Sequence, residues 1–146
     1  MHLLSSTIAR SVASYFSRKK HAVYTELGLL RGGSLRADLL AVTIRGQITI
    51  VEIKSSLQDF RSDKKWQLYL PFCHKFYWAM SEELHDRVKD QIQPGCGVFV
   101  LDENGSISKV RPARMQEVPP ATVLNICIRA AFRSSENNRA KNKPHH

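Results

Sequence analysis

Two carboxylates and a lysine occupy neighbouring apolar segments, in an arrangement that suits chemistry on a phosphate. Asp38 lies near the start of the first segment, and Glu52 and Lys54 end the second. Because successive side chains of a strand point to opposite faces, Glu52 and Lys54 share the face that carries Ile50. A strand that buries isoleucine and then directs a carboxylate and an ammonium to the same side indicates a polar site at its end.

A turn at Gly46 would join the two segments as a β-hairpin. Antiparallel pairing through that turn predicts that Asp38 lies close to Glu52 or Ile53. Carboxylates buried together repel unless a cation lies between them, and Mg²⁺ is held in proteins by one or two carboxylates and waters. Such an ion activates water and neutralises charge that develops on a phosphate. We expect Lys54 to hold the phosphate or the attacking water.

The same residues also have a purely structural interpretation. An aspartate followed by Glu-x-Lys at a strand end can form a salt-bridged sheet edge that resists aggregation. The pattern is short and arises often by chance. Its position after a helix, between apolar strands and before a basic helix favours the catalytic interpretation.

Composition indicates a basic, single-domain protein. The 146 residues suffice for one domain with a hydrophobic core. Lysine and arginine number 22 against 13 aspartates and glutamates, a formal charge of +9 that favours polyanionic partners such as DNA. The three dispersed cysteines predict reduced thiols, and no histidines have zinc-ligand spacing. No apolar run is long enough to span a membrane, so we expect a cytoplasmic protein without a membrane partner.

The N-terminal segment of 25 residues contains no acid and is rich in serine and basic residues. Apolar side chains recur in it at helical spacing, among them Ile8, Val12 and Phe16. This pattern predicts an amphipathic helix that packs on a sheet. The composition also matches an organelle transit peptide, which gives an alternative localisation.

The remaining chain alternates between strand and helix patterns, in the overall order α-β-β-β-α-β-α-β-β-α. This order predicts an α/β (α+β) fold with a mixed β-sheet flanked by helices. A single domain is expected over residues 1–133, and a disordered basic tail over residues 134–146. The predicted strands cover residues 21–30, 35–44, 47–54, 75–80, 97–101 and 106–111, and the later helices cover about residues 56–72, 81–92 and a segment after residue 120.

The order helix, strand, Asp38, hairpin, Glu52-Ile53-Lys54, helix resembles the PD-(D/E)xK nuclease superfamily, with its restriction-endonuclease-like core. Ala37 stands where the superfamily motif has proline. The chain is more closely similar to the MmcB-like group of bacterial DNA-repair proteins, roughly over residues 5–133. The segments that carry this resemblance are YTEL (24–27), RADLL (36–40), VEIKS (51–55), DFRSD (59–63), KW (65–66), YL (69–70), FC (72–73), FY (76–77), PGCG (94–97) and RAAFR (129–133).

The resemblance implies a metal-dependent DNA endonuclease that acts in repair in a bacterial cytoplasm. It implies that Asp38 and Glu52 bind Mg²⁺ or Mn²⁺, that the Ile53 carbonyl adds a ligand, and that Lys54 is catalytic. Glu26 corresponds to an additional acid of the superfamily. Its predicted position on a strand also suits a solvated carboxylate at a sheet edge.

The predicted helix after the Glu-x-Lys motif carries side chains that we expect to contact DNA. Lys64 and Lys65 are placed to bind phosphates, although they also suit a solvated helix face. Gln67 resembles a glutamine that many superfamily members place beside their lysine. We expect Asp59 and Asp63 to pair with basic neighbours on the same helix rather than to bind metal.

The alternative function is a non-catalytic module that keeps the nuclease fold to bind nucleic acid or a partner protein. In that case the basic surface would matter more than the acids. The intact set of Asp38, Glu52 and Lys54 argues against it, because a binding module does not need that set. Other repair proteins are possible partners, and a homodimer is possible.

Overall fold

Six apolar segments form one mixed β-sheet, and helices cover both of its faces in the computed structural model, which describes residues 3–142. The predicted mixed sheet flanked by helices is therefore confirmed. The strands are β1 (Ala22–Gly28), β2 (Arg36–Val42), β3 (Ile48–Ile53), β4 (Lys75–Ser81), β5 (Gly97–Leu101) and β6 (Ile107–Arg111). The helices are α1 (Leu3–Arg18), α2 (Leu57–Ser62), α3 (Glu82–Val88) and α4 (Pro120–Lys141), with short 3₁₀ helices at Arg31–Gly33, Trp66–Phe72 and Lys89–Gln91.

The strands lie side by side in chain order, from β1 to β6. β3, β4 and β5 pair in parallel, and the remaining neighbours pair antiparallel. Parallel neighbours require a crossover, which α2 and the following 3₁₀ helix supply between β3 and β4, and α3 supplies between β4 and β5. Both crossovers pack on the same face of the sheet as α4, whereas α1 packs on the opposite face.

The central strands are buried on both faces, so they consist of nearly continuous apolar residues. Trp78 of β4 packs under the crossover helices, and Phe99 of β5 packs under α1. Within the described range, the buried side chains that are polar or charged are Thr49, Glu52 and Lys54. Two of these three belong to the predicted site, which therefore interrupts the apolar interior.

α1 supplies three fully packed side chains, Ile8, Val12 and Phe16, to the core on its face of the sheet. Phe16 meets the ring of Phe99 edge-to-face, with 5.5 Å between the ring centroids. The predicted amphipathic helix is confirmed, and the segment is part of the domain core.

The cysteine prediction is also confirmed, since Cys73, Cys96 and Cys127 are all free thiols. Burial raises the pKa of the Cys73 thiol to about 12. The helices described by the structure are too short or too polar to cross a membrane.

The prediction of one continuous helix over about residues 56–72 is wrong. Ser56 caps α2 as expected, but the helix ends at Ser62. The Asp63 carboxylate accepts the backbone N–H groups of Lys65 and Trp66, at 2.7 and 2.9 Å, and so stabilises a turn instead of a helix. A 3₁₀ helix then completes the crossover.

The tail predicted to be disordered from Ser134 is also corrected, because α4 continues through Lys141. The segment after Ser134 contains no glycine or proline up to that point, so nothing in it breaks the helix. The Ser134 hydroxyl is hydrogen-bonded to the Tyr24 hydroxyl at 2.9 Å, which ties α4 to β1. The rest of the predicted tail, residues 143–146, lies outside the described residues.

Ile8→Ala should lower the free energy of unfolding by about 2–5 kcal/mol, because it leaves a cavity beneath α1. Ser14→Ala, on the exposed side of the same helix, is the matched control and should change stability by less than about 0.5 kcal/mol. Urea denaturation monitored by circular dichroism measures both. Equal stability of the two variants would contradict the placement of α1 in the core.

Candidate functional site

The β2–β3 hairpin sets the distance between the two predicted acids. Its ladder pairs Leu39 with Val51, and continuing that register by one residue places Asp38 opposite Glu52. The connecting turn is tight, and Gly46 has a φ of 84°, a conformation that glycine adopts without strain. Of the two neighbours predicted for Asp38, Glu52 is the one directly across.

Beyond the pair of Leu39 and Val51, the carboxylates of Asp38 and Glu52 accept hydrogen bonds from main-chain N–H groups in place of the main-chain carbonyls. The Asp38 N–H donates to Glu52 Oε2 at 2.8 Å, and the Ile53 N–H donates to Asp38 Oδ2 at 2.8 Å. Each acid is therefore fixed by a main-chain donor of the neighbouring strand. The predicted proximity of Asp38, Glu52 and Ile53 is observed.

Burial and mutual repulsion make this acid pair costly to ionise. Glu52 is only 5% exposed, and its burial, followed by the charge of Asp38, raises its pKa to about 8. Burial also raises the pKa of Asp38, although the Ile53 N–H and the Lys54 charge act in the other direction. Since burial disfavours the charged forms, a cation between the two carboxylates would relieve the cost.

Lys54 lies on the same face as Glu52 and is held by acids from the following crossover. Its Nζ is 2.7 Å from Asp63 Oδ2 and 3.6 Å from Asp59 Oδ1. Burial lowers the pKa of Lys54, but the hydrogen bond and charge of Asp63 outweigh burial and raise it overall. The prediction that Asp59 and Asp63 pair with basic residues of their own helix is therefore wrong.

The acids and Lys54 open into a cleft of about 980 Å³ between α1, β1 and the segment that follows α2. Lys64 and Lys65 are exposed and line this cleft, as their predicted phosphate contact requires. Gln67 is exposed on the 3₁₀ helix, outside the set of residues that line it. The cleft is lined by Ser5, Ser6, Ala9, Arg10, Thr25, Glu26, Asp38, Glu52, Ile53, Lys54, Asp59, Ser62, Asp63, Lys64, Lys65 and Tyr69.

Glu26 lies on β1, as predicted, and faces the same cleft. Glu26 is not paired in the β1–β2 ladder, in which Thr25 pairs with Leu39 and the next pair is Leu27 with Ala37. Its φ of 51° is left-handed, a conformation that costs a residue other than glycine roughly 1–2 kcal/mol. Arg133 holds this conformation by donating to the Thr25 and Glu26 carbonyls, at 2.8 and 2.9 Å.

The structure adds Tyr69, which is not among the site residues predicted from the sequence. Its hydroxyl donates to the Arg36 carbonyl at 2.9 Å and lies beside Glu52. Burial and the Glu52 charge raise the pKa of this hydroxyl, so it stays protonated at neutral pH. Helical spacing gives no signal for this contact, because it depends on the turn at Asp63.

The donor set suits a hard cation with few protein ligands. Over residues 3–142 no group of three or more His, Cys, Asp or Glu side chains is arranged to hold a metal ion. Two carboxylates, with waters or a phosphate in the other positions, are a common environment for Mg²⁺, whereas zinc usually takes three or four side chains. Asp38 and Glu52 therefore fit Mg²⁺ or Mn²⁺, and Ile53 lines the same cleft.

A family model described as DNA repair protein MmcB-like matches residues 4–142. The structure also superposes on that of a protein of unknown function from Silicibacter pomeroyi, with a TM-score of 0.85 and 27% sequence identity. This alignment covers 99% of this chain and 97% of the other. No curated protein sequence matches the chain.

Without divalent metal, stability should fall as pH rises from about 4.5 to about 8. Folded Glu52 keeps its proton up to a pKa of about 8, whereas an unfolded glutamate releases it near 4.5, so the folded state binds more protons in this window. The loss is on the order of a few kcal/mol.

Glu52→Gln should remove much of this pH dependence and be more stable than the wild type at pH 8 in EDTA. Glu83→Gln, at an exposed position of α3, is the matched control. Urea denaturation at both ends of the window measures the difference. An unchanged pH dependence in Glu52→Gln would show that Glu52 is not the titrating group.

Proposed function

The chain belongs to the MmcB-like family of DNA repair proteins, and from this premise we propose that it is a metal-dependent DNA endonuclease with a restriction-endonuclease-like core. The observation that carries the proposal is the buried Asp38–Glu52 pair, hydrogen-bonded across two strand ends, with Lys54 on the same face. A structural role alone does not account for two adjacent carboxyl groups in an apolar interior, where well-packed apolar residues are often as stable or more so.

The proposed reaction is hydrolysis of a phosphodiester bond. When bound, Mg²⁺ or Mn²⁺ supplies a Lewis acid that activates a water molecule and neutralises negative charge on the phosphate. Asp38 and Glu52 would hold the ion, and the Ile53 carbonyl would be the third ligand from the protein. The acid pair would have to lose its proton for both carboxylates to bind the ion, so metal affinity should rise with pH.

Lys54 supplies the positive side chain at the reacting phosphate. Its raised pKa keeps it protonated at neutral pH. An ammonium has three donors, so the bond to Asp63 at 2.7 Å orients the group and leaves donors for the phosphate or the attacking water. Asp63 is therefore a positioning residue for Lys54.

Lys64 and Lys65 extend the positive surface at the edge of the cleft, and we assign them to phosphates next to the cleaved bond. Gln67 would meet DNA only where the strand passes over the 3₁₀ helix. Glu26 on β1 lines the cleft together with Asp38, the proposed metal ligand, and the charge of Glu26 opposes ionisation of Asp38. A cation bound to Asp38 would attract both carboxylates.

Asp38→Asn and Glu52→Gln should each reduce nicking of supercoiled plasmid DNA in Mg²⁺ or Mn²⁺ by more than about 100-fold. Lys54→Met should cause a loss of similar size, because the phosphate loses a buried cation. The matched control is Glu83→Gln, which removes an exposed carboxylate of α3 that does not line the cleft and should nick at the wild-type rate. Thermal melting of each variant separates loss of activity from loss of fold. Undiminished nicking by both acid variants would refute the site.

A non-catalytic DNA-binding module is the second candidate, and the ion pair of Lys54 with Asp63 favours it. That contact gives Lys54 a structural partner, and over residues 3–142 no group of three or more His, Cys, Asp or Glu side chains is arranged to hold a metal ion. Calorimetric titration with Mn²⁺ discriminates between the candidates. If the protein is the endonuclease, Mn²⁺ binding releases or absorbs measurable heat, and Glu52→Gln abolishes this heat. If it is the non-catalytic module, it binds DNA but shows neither a heat of Mn²⁺ binding nor nicking of the plasmid.

A further inference from the structure

A second polar groove lies beside the cleft, on the outward side of α1. It has a volume of about 610 Å³ and runs between α1 and the turn that joins β5 to β6. Hydroxyl and guanidinium groups dominate its lining, which consists of Thr7, Arg10, Ser11, Ser14, Arg18, Gly105, Ser106 and Ile107.

Arg10 makes this groove continuous with the candidate active site. Ser5 and Ser6 line the cleft, Ser11 and Ser14 line the groove, and Arg10 lines both. The two depressions are therefore parts of one surface that crosses the exposed side of α1, with a guanidinium at the crossing point. From Thr7 to Arg18 the helix rises about 16 Å, the axial length of about five nucleotides of a B-form strand.

Within the described residues, the acids of this continuous surface line the cleft, and Asp102 and Glu103 of the β5–β6 turn lie outside the lining of the groove. None of the residues that line the groove is acidic, and α1 itself contains no acid. The ion pairs found over residues 3–142 are the two made by Lys54, so Arg10 and Arg18 have no carboxylate partner there. Exposed arginines interleaved with hydroxyls are the donors that proteins direct at nucleic-acid phosphates.

A basic amphipathic helix can also bind a membrane surface, but α1 lacks the apolar face for it. Ile8, Val12 and Phe16 are buried against the sheet, and the one large apolar side chain of α1 that is mostly exposed is Leu3 at its N-terminus. Membrane binding requires that the apolar side enter the lipid. A polyanion that is held by its phosphates is the partner that fits.

We propose that the polar side of α1, with Ser106 across the groove, binds the phosphate backbone of the DNA that extends from the cleft. The proposal rests on the proposed function, because the cleft defines where that strand begins. Arg10 binds the phosphate at the crossing point, and Arg18 binds one farther along the groove. The serine and threonine hydroxyls donate to the phosphates between them.

The test is fluorescence anisotropy with a labelled DNA duplex of about 20 bp, in EDTA so that no cleavage occurs, from about 50 to 200 mM salt. Arg10→Ala combined with Arg18→Ala should weaken binding about tenfold at the lower salt concentration. Because each lost phosphate contact removes about 0.9 from the slope of log K against log salt, the slope should become shallower by about 2.

The matched control is Arg87→Ala combined with Lys89→Ala, which removes two exposed positive charges beside the crossover helices on the opposite face of the sheet. This control should bind DNA with nearly the wild-type affinity and slope. Arg10→Lys with Arg18→Lys should restore most of the affinity. Ser14→Glu, which places a negative charge in the groove, should weaken binding, whereas Ser135→Glu on α4 should not.

The outcomes separate this proposal from the endonuclease itself. Wild-type affinity and slope in the double alanine variant overturn the α1 surface, whether or not the protein nicks plasmid DNA. If the wild type does not nick DNA but the double alanine variant binds DNA more weakly, the α1 surface is supported and the endonuclease is refuted. Tighter binding of an RNA duplex of the same sequence, with the same arginine dependence, overturns the assignment to DNA.

Discussion

The repulsion between Asp38 and Glu52 inside an apolar sheet is the constraint on which the site depends. Each carboxylate accepts a main-chain N–H from the neighbouring strand, so neither can turn away from the other. Burial raises the pKa of both, and the arrangement is therefore costly until the pair takes up a proton or a cation. In the proposed endonuclease, a bound metal ion would turn this cost into affinity.

The topology supplies the other half of the site. The crossover from β3 to β4 returns Asp63 to Lys54, which lies just beyond β3, and their contact at 2.7 Å joins the start of that crossover to its middle. Asp63 stabilises a turn, and Lys64 and Lys65 in this turn line the cleft. An uninterrupted helix would have placed the two lysines elsewhere. One carboxylate thus fixes both Lys54 and the basic edge of the cleft.

The sequence predicted the acid pair because a short hairpin and the two-residue period of a strand leave few registers open. It did not predict the partners of Lys54, because the break at Asp63 comes from a side chain that competes for backbone N–H groups, which hydrophobic spacing does not record. The contact of Tyr69 with the site follows from that break. The end of α4 was missed for a related reason, since its polar last turns carry no apolar stripe and are anchored by Ser134.

A crystal structure of the protein grown or soaked with Mn²⁺ tests the central claim most directly. An anomalous peak about 2.1–2.2 Å from one oxygen of Asp38 and one of Glu52 is the predicted result. Carboxylates that stay paired only with the main chain at saturating Mn²⁺, with no peak beside them, would contradict it.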